Sequence, residues 1–273
     1  MHFRFGLLGP LSVMDDGKAV VMTSGNQRIV LAALLASANQ AVSTDYLIEA
    51  LWASAPPRSA RVTLQNYVKR LRQNLGGLRS ALITGSCGYQ ICASDDDVDI
   101  LRFRRLARSG LDALRREDWA GTSSLLTTAL SFWRGHAFGD VPSELLAQHH
   151  AAGLEEMRLQ VLEARLTADL HLGRAEDVIA ELLPLLAAEP LRERLYCMLM
   201  LALCQTGQQA AALSVYLRAR RTLAAELGID PGPELQGIHH RILQADPEVH
   251  RQPRIPRPWS VPGTELSLAA RSR

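Results

Sequence analysis

Aromatic residues make up only 5% of this 273-residue chain, and cysteine is scarcer still. The four cysteines, Cys87, Cys92, Cys197 and Cys204, form no CxxC pair and are too few for a disulfide framework, so a reducing, cytoplasmic setting is expected. The opening MHFRFGLLGPLSV holds too short an apolar run for a signal peptide, and no stretch approaches a membrane span, which leaves no membrane partner to expect. Catalytic signatures are missing as well: there is no HExxH, no GxSxG and no Walker A GxxxxGK[ST]. Gly85-Ser-Cys-Gly88 superficially resembles a cysteine-nucleophile motif but lacks its flanking pattern, and a glycine-rich hairpin tip explains it better. His149-His150 and His239-His240 are adjacent pairs. Neighbours on a helix point about 100° apart, so neither pair is expected to converge on a metal, and solvated surface histidines are the plain reading. The expectation is a non-enzyme with no cofactor and no metal.

Acidic residues are absent from one long stretch: after Glu49 the next is Asp95, and between them lie Arg58, Arg61, Lys69, Arg70, Arg72 and Arg79, a local charge of +6. The overall charge of +2 conceals a split. Residues 1–94 carry nine Lys/Arg against four Asp/Glu, residues 95–246 sixteen against twenty-two, and residues 247–273 five against two. A basic head on an acidic body is the pattern expected when only the head touches nucleic acid. Hydrophobic residues make up 47%, enough for real cores, and the dominance of Leu and Ala favours helix.

Within the acid-free stretch, Pro57 to Gly76 reads PRSARVTLQNYVKRLRQNLG. At helical spacing Ala60, Leu64, Val68, Leu71 and Leu75 fall on one face, which predicts an amphipathic helix with one buried stripe. Ser59, Val62, Asn66, Lys69 and Gln73 fall opposite, flanked by Arg58, Thr63, Gln65 and Arg70. An uncompensated basic helix face is the electrostatic footprint of a polyanion reader; the competing reading is an ordinary solvated face.

Its neighbours have a definite order. Residues 3–8 and 11–14 read as short strands parted by Gly9-Pro10, and Asp15-Asp16-Gly17 is a hairpin signal with Ala19–Met22 returning. Ser24-Gly-Asn-Gln27 has the form of a capping box before the apolar run Ile29 to Ala38. Ser43 and Thr44 can cap a second helix, Asp45 to Trp52, with Leu47, Ile48, Leu51 and Trp52 as core positions. Pro56-Pro57 forces a loop over Ala53–Pro57, and after the basic helix Ser80–Thr84 and Tyr89–Cys92 read as strands around a Gly-rich tip. Helix, helix, basic helix and hairpin is the order of a winged helix-turn-helix. Asp95–Asp99 is a polar break, taken as a domain boundary. Beyond it, segments 99–116, 119–132, 142–172, 174–189, 192–206, 208–227 and 233–245 are apolar at helical spacing. Leu172-Gly173-Arg174-Ala175 recurs as Thr206-Gly207-Gln208-Gln209, an offset of 34 that is the tetratricopeptide period. On that alignment Val178 matches Ala212, Leu182 matches Tyr216 and Leu185 matches Ala219, whereas Pro190 has no counterpart at Ala224. The expected architecture is mainly α: an α+β winged-helix domain over 1–94, an all-α TPR-like domain over 95–246, and a disordered Pro/Arg-rich tail over 247–273 in which Arg251, Arg254 and Arg257 add phosphate attraction.

At the level of motifs the chain resembles the Streptomyces antibiotic regulatory protein (SARP) family of transcriptional activators. Phe5-Gly-Leu-Leu-Gly-Pro10-Leu11 resembles the family's first strands. Leu51-Trp52, then Pro56-Pro57-Arg58-Ser59-Ala60-Arg61, Thr63-Leu64-Gln65 and Tyr67-Val68-x-Arg70-Leu71-Arg72, resembles its most distinctive block. Gly88-Tyr89 matches the wing, and Leu227-Gly-Ile-Asp-Pro-Gly-Pro-Glu-Leu235 its C-terminal signature. The resemblance implies an OmpR-type winged helix followed by a bacterial transcriptional activation domain. It also implies binding to promoter direct repeats near the −35 element, protomers side by side on the DNA, recruitment of RNA polymerase holoenzyme through its sigma factor, and control of an antibiotic or other secondary-metabolite cluster. Larger relatives add an ATPase module and respond to phosphorylation. No such module falls within these residues, and a natural short member and a piece of a longer regulator both remain open.

On that reading Arg58, Val62, Asn66 and Lys69 lie nearest base edges, with Ser59 beside them. Thr63, Arg70 and Arg72 hold phosphates, and Thr44, near a helix N-terminus, adds a backbone contact. Arg61 and Arg72 lie beside the buried stripe, where snorkelling is the simpler role. Ser86 and Tyr89 supply the wing, whose tip carries Cys87 in place of the expected basic or small residue. Ala53, Ser54, Ala55 and Pro56 are the expected polymerase contact. The rival function is a TPR-like interaction scaffold with no specific DNA binding; an effector-sensing repressor of the same fold comes third.

Overall fold

The computed structural model describes residues 3–74, 81–246 and 249. Leu75, Gly76, Arg79, Ser80 and the Pro/Arg-rich tail, with Arg251, Arg254 and Arg257, lie outside the described residues. The described chain falls into two compact units, divided at 115/116, 123/124 and 162/163.

The first unit opens on an antiparallel sheet, β1 (Phe3–Gly6), β2 (Ser12–Asp15) and β3 (Lys18–Ala19), in the order β1-β2-β3 with Phe5 opposite Val13. Helix α1 (Gly25–Ala36) is buried continuously from Ile29 to Ala36, as its unbroken apolar run requires. The capping box does not close. Ser24 stands at the N-cap, but its side chain makes no capping bond. Gln27 is instead buried, its Oε1 accepting from Asn74 Nδ2 at 3.2 Å, because a buried amide is satisfied better by a tertiary partner than by the solvated end of its own helix.

Helix α2 (Thr44–Trp52) follows the two-residue strand β4 (Val42–Ser43), and Ser43 Oγ accepts from the Tyr46 amide at 3.1 Å, capping the helix as expected. Its core positions are Leu47 and Ala50; Ile48, Leu51 and Trp52 are only half-buried, since α3 crosses one side of the helix rather than enclosing it. Helix α3 (Ala60–Asn74) begins three residues later than Pro57. The Ala60 amide donates to the Pro57 carbonyl, a tight turn that must finish before Thr63 can make the first full helical bond to Ser59. Strands β5 (Leu82–Thr84) and β6 (Gly88–Ile91) form a hairpin, and β6 also pairs with β4.

The polar stretch Asp95–Asp99 is stitched to the first sheet. The Phe5 amide donates to the Asp97 carbonyl at 2.7 Å, and the Asp99 carboxylate, at the start of α4 (Asp99–Arg115), accepts from the Leu7 and Leu8 amides at 2.8 and 3.0 Å. Asp140 accepts from the Leu11 amide and pairs with Arg28, while Arg134 donates to the Pro10 carbonyl. After α5 (Trp119–Leu130), the segment expected as one helix over 142–172 is α6 (Glu144–Leu146), a π turn (Ala147–Ala151) and α7 (Ala152–His171). The π turn changes the outcome for one of the two histidines: both rings approach Tyr46, and His149 is exposed as expected, but His150 is half-buried rather than solvated.

In the second unit, α9 (Glu193–Gln205) is buried from Leu195 through Cys204 and lies between α8 (Ala175–Ala188), α10 (Gln209–Leu227) and α11 (Pro233–Leu243). The 34-residue repeat is visible in the backbone. Gly173 and Gly207 take φ of +76° and +77°, and each closes the same pair of bonds: Arg174 to Asp169 and Gly173 to Leu170, then Gln208 to Leu203 and Gly207 to Cys204. This is a Schellman ending, which needs the left-handed residue glycine supplies without strain. Val178 and Ala212 are both buried, but Tyr216 is half-buried where Leu182 is fully buried, because its ring stacks on His239 at 3.8 Å.

Candidate nucleic-acid interface

The stripe that seats α3 is the one its periodicity predicts: Ala60, Leu64, Val68 and Leu71 are all buried. That burial fixes the rotation of the helix and turns Val62, Gln65, Asn66, Lys69, Arg70 and Gln73 outward. Arg58 and Ser59 lie in the turn before the helix, exposed, and Thr63 is half-buried with its hydroxyl 3.4 Å from that of Ser59. Val62 keeps 60% of its surface open, at the centre of this outward face. Arg58, Lys69 and Arg70 have no ion-pair partner among the described residues. Arg61 pairs with Asp45 at 3.2 Å, with both side chains about three-quarters exposed or more, so this contact neutralises charge without adding much stability.

Residues that hold the helix were harder to foresee. The Tyr67 ring stacks on Trp52 at 6.5 Å and its hydroxyl accepts from Asn26 Nδ2 at 2.8 Å, so one side chain ties α1, α2 and α3 together. Only its place inside the distinctive sequence block signalled this. Arg72 donates to the Leu82 carbonyl at 2.6 Å and to Thr84 Oγ1 at 2.9 Å, clamping α3 to the hairpin. Thr44 donates its amide to the Cys87 carbonyl at 3.1 Å, and its hydroxyl lies 3.5 Å from the same oxygen. Tyr89 is buried in the hairpin base opposite Val42 and Thr84, whereas Ser86 and Cys87 at the tip are exposed. Gly88 is obligatory: a Cβ there would stand 1.9 Å from the Val42 carbonyl oxygen.

A helix-helix-helix-hairpin head with this outward face matches a family model, "Transcriptional regulatory protein, C terminal", over residues 17–89, and the helices that follow match "Bacterial transcriptional activator domain" over residues 98–243. The regulatory protein DnrI of Streptomyces peucetius is 35% identical over 268 residues, covering 94% of this chain and 98% of that protein. The chain belongs to the SARP family of transcriptional regulators. The regulatory protein AfsR of Streptomyces coelicolor is 42% identical over 89% of the chain, which spans only 24% of that longer relative. Among solved structures, Mycobacterium tuberculosis EmbR in complex with a low-affinity phosphopeptide superposes with a TM-score of 0.86 at 37% identity, over 89% of this chain and 65% of that one.

In this SARP the loop between α2 and α3, residues 53–57, is fully exposed. Its first residue carries strain: Ala53 takes φ 51° and ψ −123°, a region open essentially to glycine, while its amide donates to Glu49. Replacing Ala53 by Gly should raise stability by about 1 kcal/mol, the relieved strain outweighing the extra freedom of the unfolded chain. A thermal melt checks this, and a fall in melting temperature would mean that the loop relaxes in solution.

Proposed function

We propose that this SARP is a sequence-specific DNA-binding activator that reads promoter direct repeats with α3, braces itself with the wing, and recruits RNA polymerase holoenzyme to a secondary-metabolite cluster. The observation carrying the reading is the outward face of α3: Lys69 and Arg70, exposed and without an ion-pair partner among the described residues, with carboxamides and one open valine on a helix seated from behind by its buried stripe. Asn66 suits bidentate contact with adenine, Arg58 suits guanine and Val62 a thymine methyl, while Lys69 and Arg70 suit phosphates. With Arg72 and Thr44 occupied inside the protein, their part is to fix the wing against α3, and Ser86 at the tip is the wing group free to meet backbone. Tyr89 supports the hairpin from below. Ala53, Ser54, Ala55 and Pro56 form the exposed loop offered to the sigma factor. The division of labour follows residues 1–94 for DNA and 95–246 for activation, with head-to-tail protomers on a direct repeat.

Selection of a random duplex library by the purified chain tests this. Enrichment of one short motif repeated in the same orientation supports the proposal, and failure to retain any duplex at low salt replaces it with the scaffold reading. Asn66→Ala should relax preference at one base position by about 1–3 kcal/mol, and unaltered selectivity would remove Asn66 from base reading. Lys69→Ala should weaken binding to all duplexes alike and lower the salt slope by about one; an unchanged slope removes it from the phosphate set.

A further inference from the structure

Residues 163 to 246 of the second unit hold eight arginines, and Arg165, Arg174, Arg192, Arg194, Arg220 and Arg241 each meet a carboxylate. The other two, Arg218 and Arg221, stand one turn apart on α10, exposed and without an ion-pair partner among the described residues. Arg221 Nε donates to the Leu217 carbonyl, a turn back in its own helix, at 3.2 Å. Leu217 keeps 53% of its surface open, and with Arg220, Arg221 and Ala224 it lines a shallow hollow. Ala212, Ala219 and Leu223 seat α10, so this basic, partly apolar strip is turned away from the core.

Helix α8 has the opposite charge in the same kind of setting. Its buried stripe is Ala175, Val178, Leu182 and Leu186. Glu176, Ala180, Leu183 and Ala187 share an exposed face at helical spacing, with Asp177 and Pro184 beside them. Leu183 keeps 51% of its surface open, and Glu176 and Asp177 have no ion-pair partner among the described residues. Both helices pack against α9 through their buried stripes, which leaves the two strips outside. The Pro/Arg-rich residues 247–273, with five arginines against two acids, have the wrong sign to cover Arg218 and Arg221.

We propose that the α10 strip of one copy of this chain docks on the α8 strip of a second copy, with Leu217 against Leu183 and Arg218 and Arg221 facing Glu176 and Asp177. The two strips are different surfaces, so the contact is heterologous and runs head to tail. This deepens the direct-repeat reading by naming the surfaces through which neighbouring protomers touch, while the contact itself needs no DNA. Two helix strips cover less than the roughly 1,600 Å² of a standard interface. The contact is therefore weak between free chains and takes hold where binding side by side raises the effective concentration.

The test is sedimentation velocity of the full chain without DNA, over a rising concentration series at low and at high salt. The sedimentation coefficient should climb with concentration, and climb less at high salt, where the charge pairs are screened. Arg218→Glu with Arg221→Glu should weaken association by about tenfold or more, and so should Glu176→Arg with Asp177→Arg, since each sets like charges face to face. An equimolar mixture of the two charge-reversed proteins should associate again, because the acidic α10 of one then meets the basic α8 of the other. Damage to the fold cannot produce that recovery. The α8 reversal removes acids from a helix N-terminus; if it does not fold, Glu176→Gln with Asp177→Asn reads the same strip and should also weaken association. A chain that stays monomeric throughout, folded variants that associate like the unmodified chain, or a mixture of folded reversals that does not recover overturns the proposal. Association that recovers on mixing, in a chain that retains no duplex, strikes the DNA reading and leaves this contact standing.

Discussion

Replacing Arg58, Lys69 and Arg70 together by alanine is expected to lower duplex affinity roughly 500-fold at about 0.1 M salt. Each cation that displaces a condensed counterion contributes about 0.9 to the slope of log affinity against log salt, so three contribute about 2.7. Referred to molar salt, where the release effect vanishes, that slope corresponds to a factor of about 10^2.7 at 0.1 M. The fold should be untouched, because all three side chains are exposed and have no ion-pair partner among the described residues. Fluorescence anisotropy across a salt series reads both numbers, and a slope that falls by less than one would take this face off the DNA. Arg61 is the internal control. Its charge is already offset by Asp45, so Arg61→Ala should cost much less than Lys69→Ala, while Asp45→Ala should tighten binding.

What the sequence made legible is what depends on local period. The α3 stripe of Ala60, Leu64, Val68 and Leu71 follows from 3.6-residue spacing alone, and once it is buried the outward set is fixed. The repeated glycine turns at 173 and 207 were readable for the same reason, since a left-handed helix ending asks for glycine in the sequence itself. Hidden were the choices made between distant residues. Gln27 reads as a cap partner of Ser24 until Asn74, 47 positions away, takes its amide oxygen. Arg72 reads as a phosphate ligand until the Leu82 carbonyl is seen beside it. The π turn leaves the apolar period of 142–172 nearly intact, so the convergence of His149 and His150 on Tyr46 has no local signature. The candidate interface was therefore legible by face, but not by which of its polar groups are already spent on the fold.

Asp99→Ala is expected to cost roughly 2–5 kcal/mol, because it strands the Leu7 and Leu8 amides and removes one of the two partners of Arg134, 3.4 Å away. For a unit of this size that is a fall of roughly 5–15 °C in melting temperature. Asp99→Asn should lose about half as much or less: an amide oxygen at the Oδ2 position still accepts from both backbone N–H groups, while the NH2 at the Oδ1 position faces the Leu7 amide and the charge beside Arg134 is gone. The pH dependence separates charge from hydrogen bonding. Burial raises the Asp99 pKa, outweighing the opposing hydrogen bonds from Leu8 and Leu7 and the charge of Arg134. A carboxyl whose folded pKa is raised contributes stability that is complete below its unfolded value, near 4, and lost as pH rises through the folded value. The melting-temperature advantage of the unmodified chain over Asp99→Asn should therefore shrink as pH climbs from about 4 towards neutrality. An advantage that grows instead would mean that the backbone amides and Arg134 outweigh burial. A melting temperature for Asp99→Ala within a degree or two of the unmodified chain would show that the Leu7–Leu8 turn holds its place without α4.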